Sequence, residues 1–210
     1  MRAFHLFFKR TFDIFGSLFG LIFLSPLFLA VAILIKQTSE GPVFFRQKRL
    51  GKNGRVFTII KFRTMMVNAE QMGDGLRIKN ENDFRISSVG RVLRRTSLDE
   101  IPQLFNVLKG EMSLVGPRPP VTYFPYKGYE SYPDWAKKRF LMKPGMTGLS
   151  QVRVRNSVSW DEKIRIDIEY IEKFTIWLDI KIIFLTILKM FKPQNIYVEE
   201  RINRHIDTKA

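Results

Sequence analysis

Two neighbouring carboxylates, Asp99 and Glu100, stand among arginines in the stretch Arg94-Arg95-Thr96-Ser97-Leu98-Asp99-Glu100-Ile101-Pro102-Gln103-Leu104. Leu98, Ile101, Leu104, Phe105 and Leu108 recur at helical spacing and Gly110 stops the run, so the pair is expected at a helix start. Ser97 and Glu100 fit a capping box, and Pro102, which suits only a first turn, moves the expected start toward Asp99. On either register the positive end of the helix dipole favours the ionised acids. Asp83-Phe84-Arg85-Ile86 and Gly90-Arg91-Val92-Leu93-Arg94-Arg95 bring further arginines up to the pair. The planar guanidinium fork suits phosphate oxygens, and its place beside two carboxylates favours a pyrophosphate as ligand. A capping box alone also describes an ordinary helix start, and an arginine cluster alone also suits nucleic acid or lipid headgroups.

The elements around this stretch are legible in outline. Val43-Phe44-Phe45 and Val56-Phe57-Thr58-Ile59-Ile60 flank Gly51-Lys52-Asn53-Gly54, which predicts a β-hairpin with Lys61 and Arg63 at the end of its second strand. Residues 67 to 83 read as a mobile connection. Tyr123, Phe124, Tyr126, Tyr129, Tyr132 and Trp135 crowd a proline-containing loop; packing of the loop on itself, stacking on a base or sugar, and a place among lipid headgroups all suit them. Residues 160 to 173 suit a charged helix carrying Asp167 and Tyr170. Residues 174 to 191 suit an apolar helix, lying in a membrane interface or buried in a core. Asp167-Ile168-Glu169 reads as a helix face, because no nucleotide-binding βαβ pattern surrounds it. There is no Walker loop, no GxGxxG and no paired-histidine metal motif.

Ile14 to Ile35 is a 22-residue run without a charge, long enough to cross a bilayer as a straight helix. Ser25-Pro26 interrupts it, and both flanks are basic: Arg2, Lys9 and Arg10 before, Lys36, Arg46, Lys48 and Arg49 after. A crossing helix usually carries its positive bias on one side, so a hairpin that enters and leaves by one face fits as well as a plain anchor. A cleaved signal peptide ending at Ala30-Val31-Ala32 fits less well, its apolar region being long. Across 210 residues, 35 Lys and Arg face 20 Asp and Glu, a formal charge of +15 that suits anionic partners. The chain has no cysteine, which excludes disulfides and thiolate metal sites.

Ser97-Leu98-Asp99-Glu100, Pro102-Gln103-Leu104, Asn106-Val107-Leu108-Lys109-Gly110 and Ser113-Leu114-Val115-Gly116-Pro117-Arg118-Pro119 together resemble the bacterial sugar transferases, the monotopic phosphoglycosyl transferases that begin glycan assembly. Gly41-Pro42-Val43-Phe44-Phe45-Arg46-Gln47, Lys61-Phe62-Arg63, Lys143-Pro144-Gly145-Met146-Thr147-Gly148 and Trp177-Leu178-Asp179-Ile180-Lys181 extend the likeness over nearly the whole chain. The resemblance implies an α+β fold, mainly helical with a small β-hairpin, an N-terminal re-entrant membrane hairpin bent at Ser25 and Pro26, and interfacial amphipathic helices. It divides the chain into a hairpin over 1–36 and a catalytic domain over 37–210 on the cytoplasmic face of the bacterial inner membrane.

The implied substrates are a UDP-sugar and undecaprenyl phosphate, with membrane lipids as partners and no nucleic acid. The implied reaction is a transfer in two covalent steps, with Asp99 as nucleophile and Glu100 holding Mg²⁺. Lys61, Arg94 and Arg118 would bind substrate phosphates, with Arg155, Asp167 and Asp179 in support and Asp179 facing the site. Where the family reads Trp-Ala-Gln-Val-Asn-Gly-Arg-Asn, this chain has Leu149-Ser150-Gln151-Val152-Arg153-Val154-Arg155-Asn156. That departure touches local backbone shape and sugar specificity. The sugar, the glycan pathway and the oligomeric state, a homo-oligomer included, stay unspecified. A non-catalytic basic scaffold on acidic lipid would explain the charge and the apolar helices, but gives no reason for acids among the arginines.

Overall fold

The structure, a computed structural model, describes residues 2–72, 75, 83–154 and 158–190. Much of the sequence's expected mobile connection, the C-terminal tail, and Arg155 and Asn156 lie outside the described residues. The chain opens with two helices, α1 (Arg2–Phe23) and α2 (Ser25–Thr38), bent by 60° at a one-residue break. Pro26 has no N–H to offer the carbonyl of Ile22, four residues back, and the Ser25 hydroxyl donates to that oxygen instead at 2.8 Å. The bend therefore costs no unpaired carbonyl. Among the described residues no single helix is long and apolar enough to cross a membrane.

Helix α1 is inverted relative to an ordinary surface helix. Lys9, Asp13 and Ser17, four residues apart and thus on one face, are buried against the rest of the protein, while Phe4, Phe7, Phe15, Phe19 and Phe23 stand exposed.

Strands β1 (Phe44–Leu50) and β2 (Val56–Phe62) form the expected antiparallel hairpin, paired from Phe44 opposite Phe62 to Leu50 opposite Val56. Asn53 and Gly54 take the left-handed conformation at its tip. The first strand runs on through Arg46 to Arg49, because a polar outer face does not end a strand that is buried on one side only. Helix α3 (Ser88–Thr96) begins at Ser87, whose hydroxyl accepts from the Gly90 N–H. A Cβ at Gly90 would lie 2.0 Å from the Thr64 carbonyl oxygen, so only glycine lets α3 cross the end of β2 this closely.

The expected helix around the acids is two pieces. Leu98–Gln103 is a 3-10 helix with Pro102 inside, and α4 (Leu104–Lys109) follows, ending at Gly110 as expected. The capping box does not form: Ser97 is left-handed and closes α3, and Glu100 turns its side chain elsewhere. The proline, lacking an N–H, delays α-helical pairing until the residues behind it.

Strand β3 (Ser113–Val115) pairs in parallel with β4 (Gly145–Thr147), a second small sheet that the sequence pattern does not reveal. A short helix α5 (Asp134–Lys137) lies between them in sequence; α6 (Leu149–Arg153), α7 (Trp160–Glu172) and α8 (Ile176–Met190) complete the chain. Val115, Leu149, Val152, Ile166, Tyr170 and Ile182 form one core beneath β3. Tyr126, Tyr129 and Trp135 of the aromatic loop pack around buried Tyr132 and Phe140 and against Leu50 of β1 and Ile164 of α7, while Tyr123 and Phe124 stay exposed. Helix α8 buries Asp179 and Ile182 but exposes Trp177, Ile180, Phe184 and Ile187. The fold is α+β and mostly helical.

Candidate active site

Asp99 and Glu100 sit on the 3-10 helix, where successive side chains diverge by about 120° and take separate surroundings. Both line a cavity of about 990 Å³ together with Lys61, Arg94 and Arg118. Strand β2 delivers Lys61 from its end, α3 delivers Arg94 from its last turn, and the segment after β3 delivers Arg118. Three stretches distant in sequence, β2, the adjoining α3 and 3-10 helix, and the segment after β3, thus meet at one wall.

Glu100 is the hub. Its Oε1 accepts from Lys61 Nζ at 2.6 Å and from Arg118 Nη2 at 3.5 Å. Burial would push the Glu100 carboxyl up, but Lys61 and Arg118 outweigh it and hold it down to about 2. Burial in turn pulls Lys61 below the usual lysine range, with Glu100 opposing. Asp99 makes no hydrogen bond among the described residues. Burial first, and the charge of Glu100 as well, raise its carboxyl to about 6 against the pull of Lys61, Arg94 and Arg118. One acid is held by cations and the other is left open to the cavity. A desolvated carboxylate without a hydrogen-bond partner has the character that nucleophilic attack requires, and its neighbour fixes the cations around it.

Two further arginines escaped the sequence reading. Arg49, on β1, lines the cavity, donates to the Pro119 carbonyl at 3.0 Å and also to Gln47. Burial and then Arg118 draw its guanidinium down to about 10, so it remains cationic at neutral pH. Arg139, buried behind Arg118, donates through Nη2 to the Arg118 carbonyl at 2.8 Å and to Asp167 at 2.7 Å. Ser150 donates to the other oxygen of Asp167 at 2.7 Å. Asp167 thus lines the cavity and holds Arg139, which in turn holds the Arg118 main chain. Its carboxyl is raised by burial and restrained by Arg139. Only the arrangement of β1 and of the loop before β4 brings these arginines in, and no local spacing signals it.

The structure does not gather every expected residue. Of Arg85, Arg91, Arg94 and Arg95, only Arg94 lines the cavity. Arg91 and Arg95, four apart and so on one face of α3, are exposed. Arg85 is buried on Asp83 at 2.7 Å and on the carbonyls of Ala69, Met72 and Gly75. Asp179 does not face the cavity. It pairs with Lys9 of α1 at 2.5 Å and accepts from the Tyr170 hydroxyl at 2.7 Å, because α8 turns its start toward α1. Lys9 also donates to the Val115 carbonyl at 2.8 Å, and Asp13 accepts from Ser113 Oγ and the Leu114 N–H, both at 2.9 Å.

Residues 4–193 match the family model described as bacterial sugar transferase. The galactosyl transferase CpsE of Streptococcus agalactiae serotype III is 44% identical over 193 residues, 87% of this chain and 42% of that protein. A UDP-glucose:undecaprenyl-phosphate glucose-1-phosphate transferase of Klebsiella pneumoniae is 41% identical, over 94% of this chain and 43% of its own length. An uncharacterized sugar transferase, EpsL of Bacillus subtilis, is 38% identical over 90% of this chain and 89% of its own. The chain thus spans about two fifths of the longer relatives and nearly the whole of the shorter one.

Proposed function

The chain belongs to the bacterial sugar transferase family, and from that premise we propose that it transfers a sugar 1-phosphate from a UDP-sugar to undecaprenyl phosphate. The observation that carries this reading is the unpartnered Asp99 beside a Glu100 already neutralised by Lys61 and Arg118, in a cavity walled by cations. Such a wall receives a pyrophosphate, and such a carboxylate attacks one.

An Asp99 oxygen forms a bond to the β-phosphorus while the bond from that phosphorus to the bridging oxygen breaks. UMP leaves with the electron pair. An oxygen of the lipid phosphate then attacks the same phosphorus, releasing Asp99 and giving the polyprenyl diphosphosugar. Lys61, Arg94, Arg118 and Arg49 hold the charge that gathers on the leaving and transferring groups.

The donor set suits Mg²⁺, which takes one or two carboxylates and completes its shell with phosphate oxygens and water. Among the described residues no cluster of three ligating side chains exists, whereas Glu100 is ionised and engaged only at Oε1. Glu100, with Asp99 beside it, would hold the ion, which when bound supplies neutralisation of the diphosphate.

The bent pair α1–α2 serves as a re-entrant membrane hairpin with Ser25 and Pro26 at its turn. Its outward phenylalanines, and the outward Trp177, Ile180 and Phe184 of α8, support that reading. The hairpin over 1–36 would seat the 37–210 domain on the cytoplasmic face of the inner membrane, where UDP-sugars are available. The test is UMP release from a panel of UDP-sugars with Mg²⁺, with and without undecaprenyl phosphate, in wild type and Asp99→Asn. Lipid-dependent turnover that the variant loses supports the reading, and turnover that survives in it removes Asp99 as nucleophile.

A further inference from the structure

The cavity has a second wall that the phosphate chemistry leaves unused. It is built by β4, α6 and α8, and carries Thr147, Ser150, Gln151 and Thr186. The hydroxyl protons on this wall are committed inward. Ser150 donates to Asp167 at 2.7 Å. Thr186 donates to the Ile182 carbonyl at 2.8 Å, so across the 2.6 Å contact between the two threonine hydroxyls the proton belongs to Thr147. The Gln151 amide nitrogen donates to the Met146 carbonyl at 3.1 Å. What remains on the cavity side is lone pairs. Gln151 Oε1 is buried with no hydrogen-bond partner among the described residues. An unpaired buried acceptor is costly, and a ligand that brings a donor removes the cost. Of the cations on this side, Lys189 donates to the Val152 carbonyl and Lys163 lies over the Trp160 ring at 5.4 Å. Arg139 is held through Nη2 by Asp167 and the Arg118 carbonyl, with its buried Nη1 lacking a partner among the described residues.

A wall of acceptors repels phosphate, which at neutral pH offers acceptors nearly alone, and suits a group rich in O–H and N–H. Of the parts of a UDP-sugar, uracil brings one N–H and the ribose two hydroxyls, whereas a hexose or acetamido sugar brings more donors along one ring face, and only these differ from one UDP-sugar to another. We propose that Thr147, Ser150, Gln151 and Thr186 form the sugar-reading wall, with Gln151 Oε1 and Thr147 Oγ1 selecting the sugar by its donors. The inference rests on the transferase reading and adds where substrate selectivity resides. It also gives a physical meaning to the departure of residues 149–154 from the family pattern, because that segment is the α6 wall itself.

The experiment measures kcat/KM for a panel of UDP-sugars, and inhibition by UMP, in wild type, Gln151→Leu and Thr147→Val. Losing a buried acceptor that meets a sugar donor should lower kcat/KM for the preferred UDP-sugar by about 10- to 100-fold, and by less for sugars lacking that donor. UMP inhibition should stay within about twofold, which also shows that the variant site is folded. Equal losses across all sugars, or a parallel loss of UMP affinity, would overturn the inference and place the uridine, by its ribose or its base, or scaffolding there instead. Wild type active with an unmoved order of preference in both variants would overturn the inference alone. Wild type silent on every UDP-sugar and blind to UMP would overturn the transferase reading, and the inference with it.

Discussion

Replacing Asp99 by asparagine should make the protein harder to unfold at neutral pH while removing its chemistry. The folded protein raises this carboxyl from 3.8 to about 6, chiefly by burial. Between those values the folded chain keeps a proton that the unfolded chain has lost, so stability falls as pH rises through the window and the whole cost is present above about pH 6. A shift of this size disfavours the ionised form by about 3 kcal/mol, and screening at the cavity mouth leaves about 1 to 3 kcal/mol. Asparagine keeps the shape without the charge. In a chain of 210 residues that gain corresponds to roughly 2 to 12 °C in Tm. The assay is thermal unfolding of both proteins in detergent with chelator present, near pH 7.5 and near pH 4. At the acid end wild-type Asp99 is itself protonated and the two curves should converge. A variant no more stable than wild type near pH 7.5, or a gain that persists undiminished near pH 4, would refute the reasoning. In parallel, UMP release should fall by several orders of magnitude.

Lys61→Met should destabilise the protein by about 2 to 4 kcal/mol and raise KM for the UDP-sugar, because it strips Glu100 of its closest partner; denaturant unfolding and initial rates check both. Lys9→Met should cost about 3 to 5 kcal/mol by leaving Asp179 buried without its cation, and Lys9→Met with Asp179→Leu should recover most of that loss, read by the same unfolding curves. Ser25→Ala should cost about 1 kcal/mol by leaving the Ile22 carbonyl unpaired at the bend, with UMP release nearly unchanged. Arg139→Met should lower activity through the Arg118 main chain it holds, raising KM more than it lowers kcat.

Local chemistry was legible where a residue and its consequence are close in sequence. Asn53-Gly54 turned the hairpin, Gly110 ended α4, and Ser25 satisfied the carbonyl that Pro26 freed. The acids and Lys61, read from a long string of residues, do share one cavity. Legibility failed where the partner lies far along the chain. Arg49 and Arg139 join the site through main-chain carbonyls on the segment after β3, at separations of 70 and 21 residues, which leave no periodic trace. Three-residue strands such as β3 and β4 are too short for alternation to show. The arginines before Asp99 looked equivalent in sequence, yet helical phase exposes Arg91 and Arg95, and Asp83 captures Arg85.

The inverted face of α1 bears on how such a chain is made. A ribosome releases α1 before any of β3, α7 or α8 exists, so Lys9 and Asp13 emerge without Asp179, Val115 or Ser113 to meet them. Until α8 is made, Lys9 has no buried carboxylate to meet, and the exposed phenylalanines of α1 do nothing to hold that face against the rest of the chain. Residues made late, on α8, are therefore the ones that lock the much earlier α1 in place. Nascent chains cut short before Asp179 should leave α1 loosely packed and open to protease, however hydrophobic their beginning.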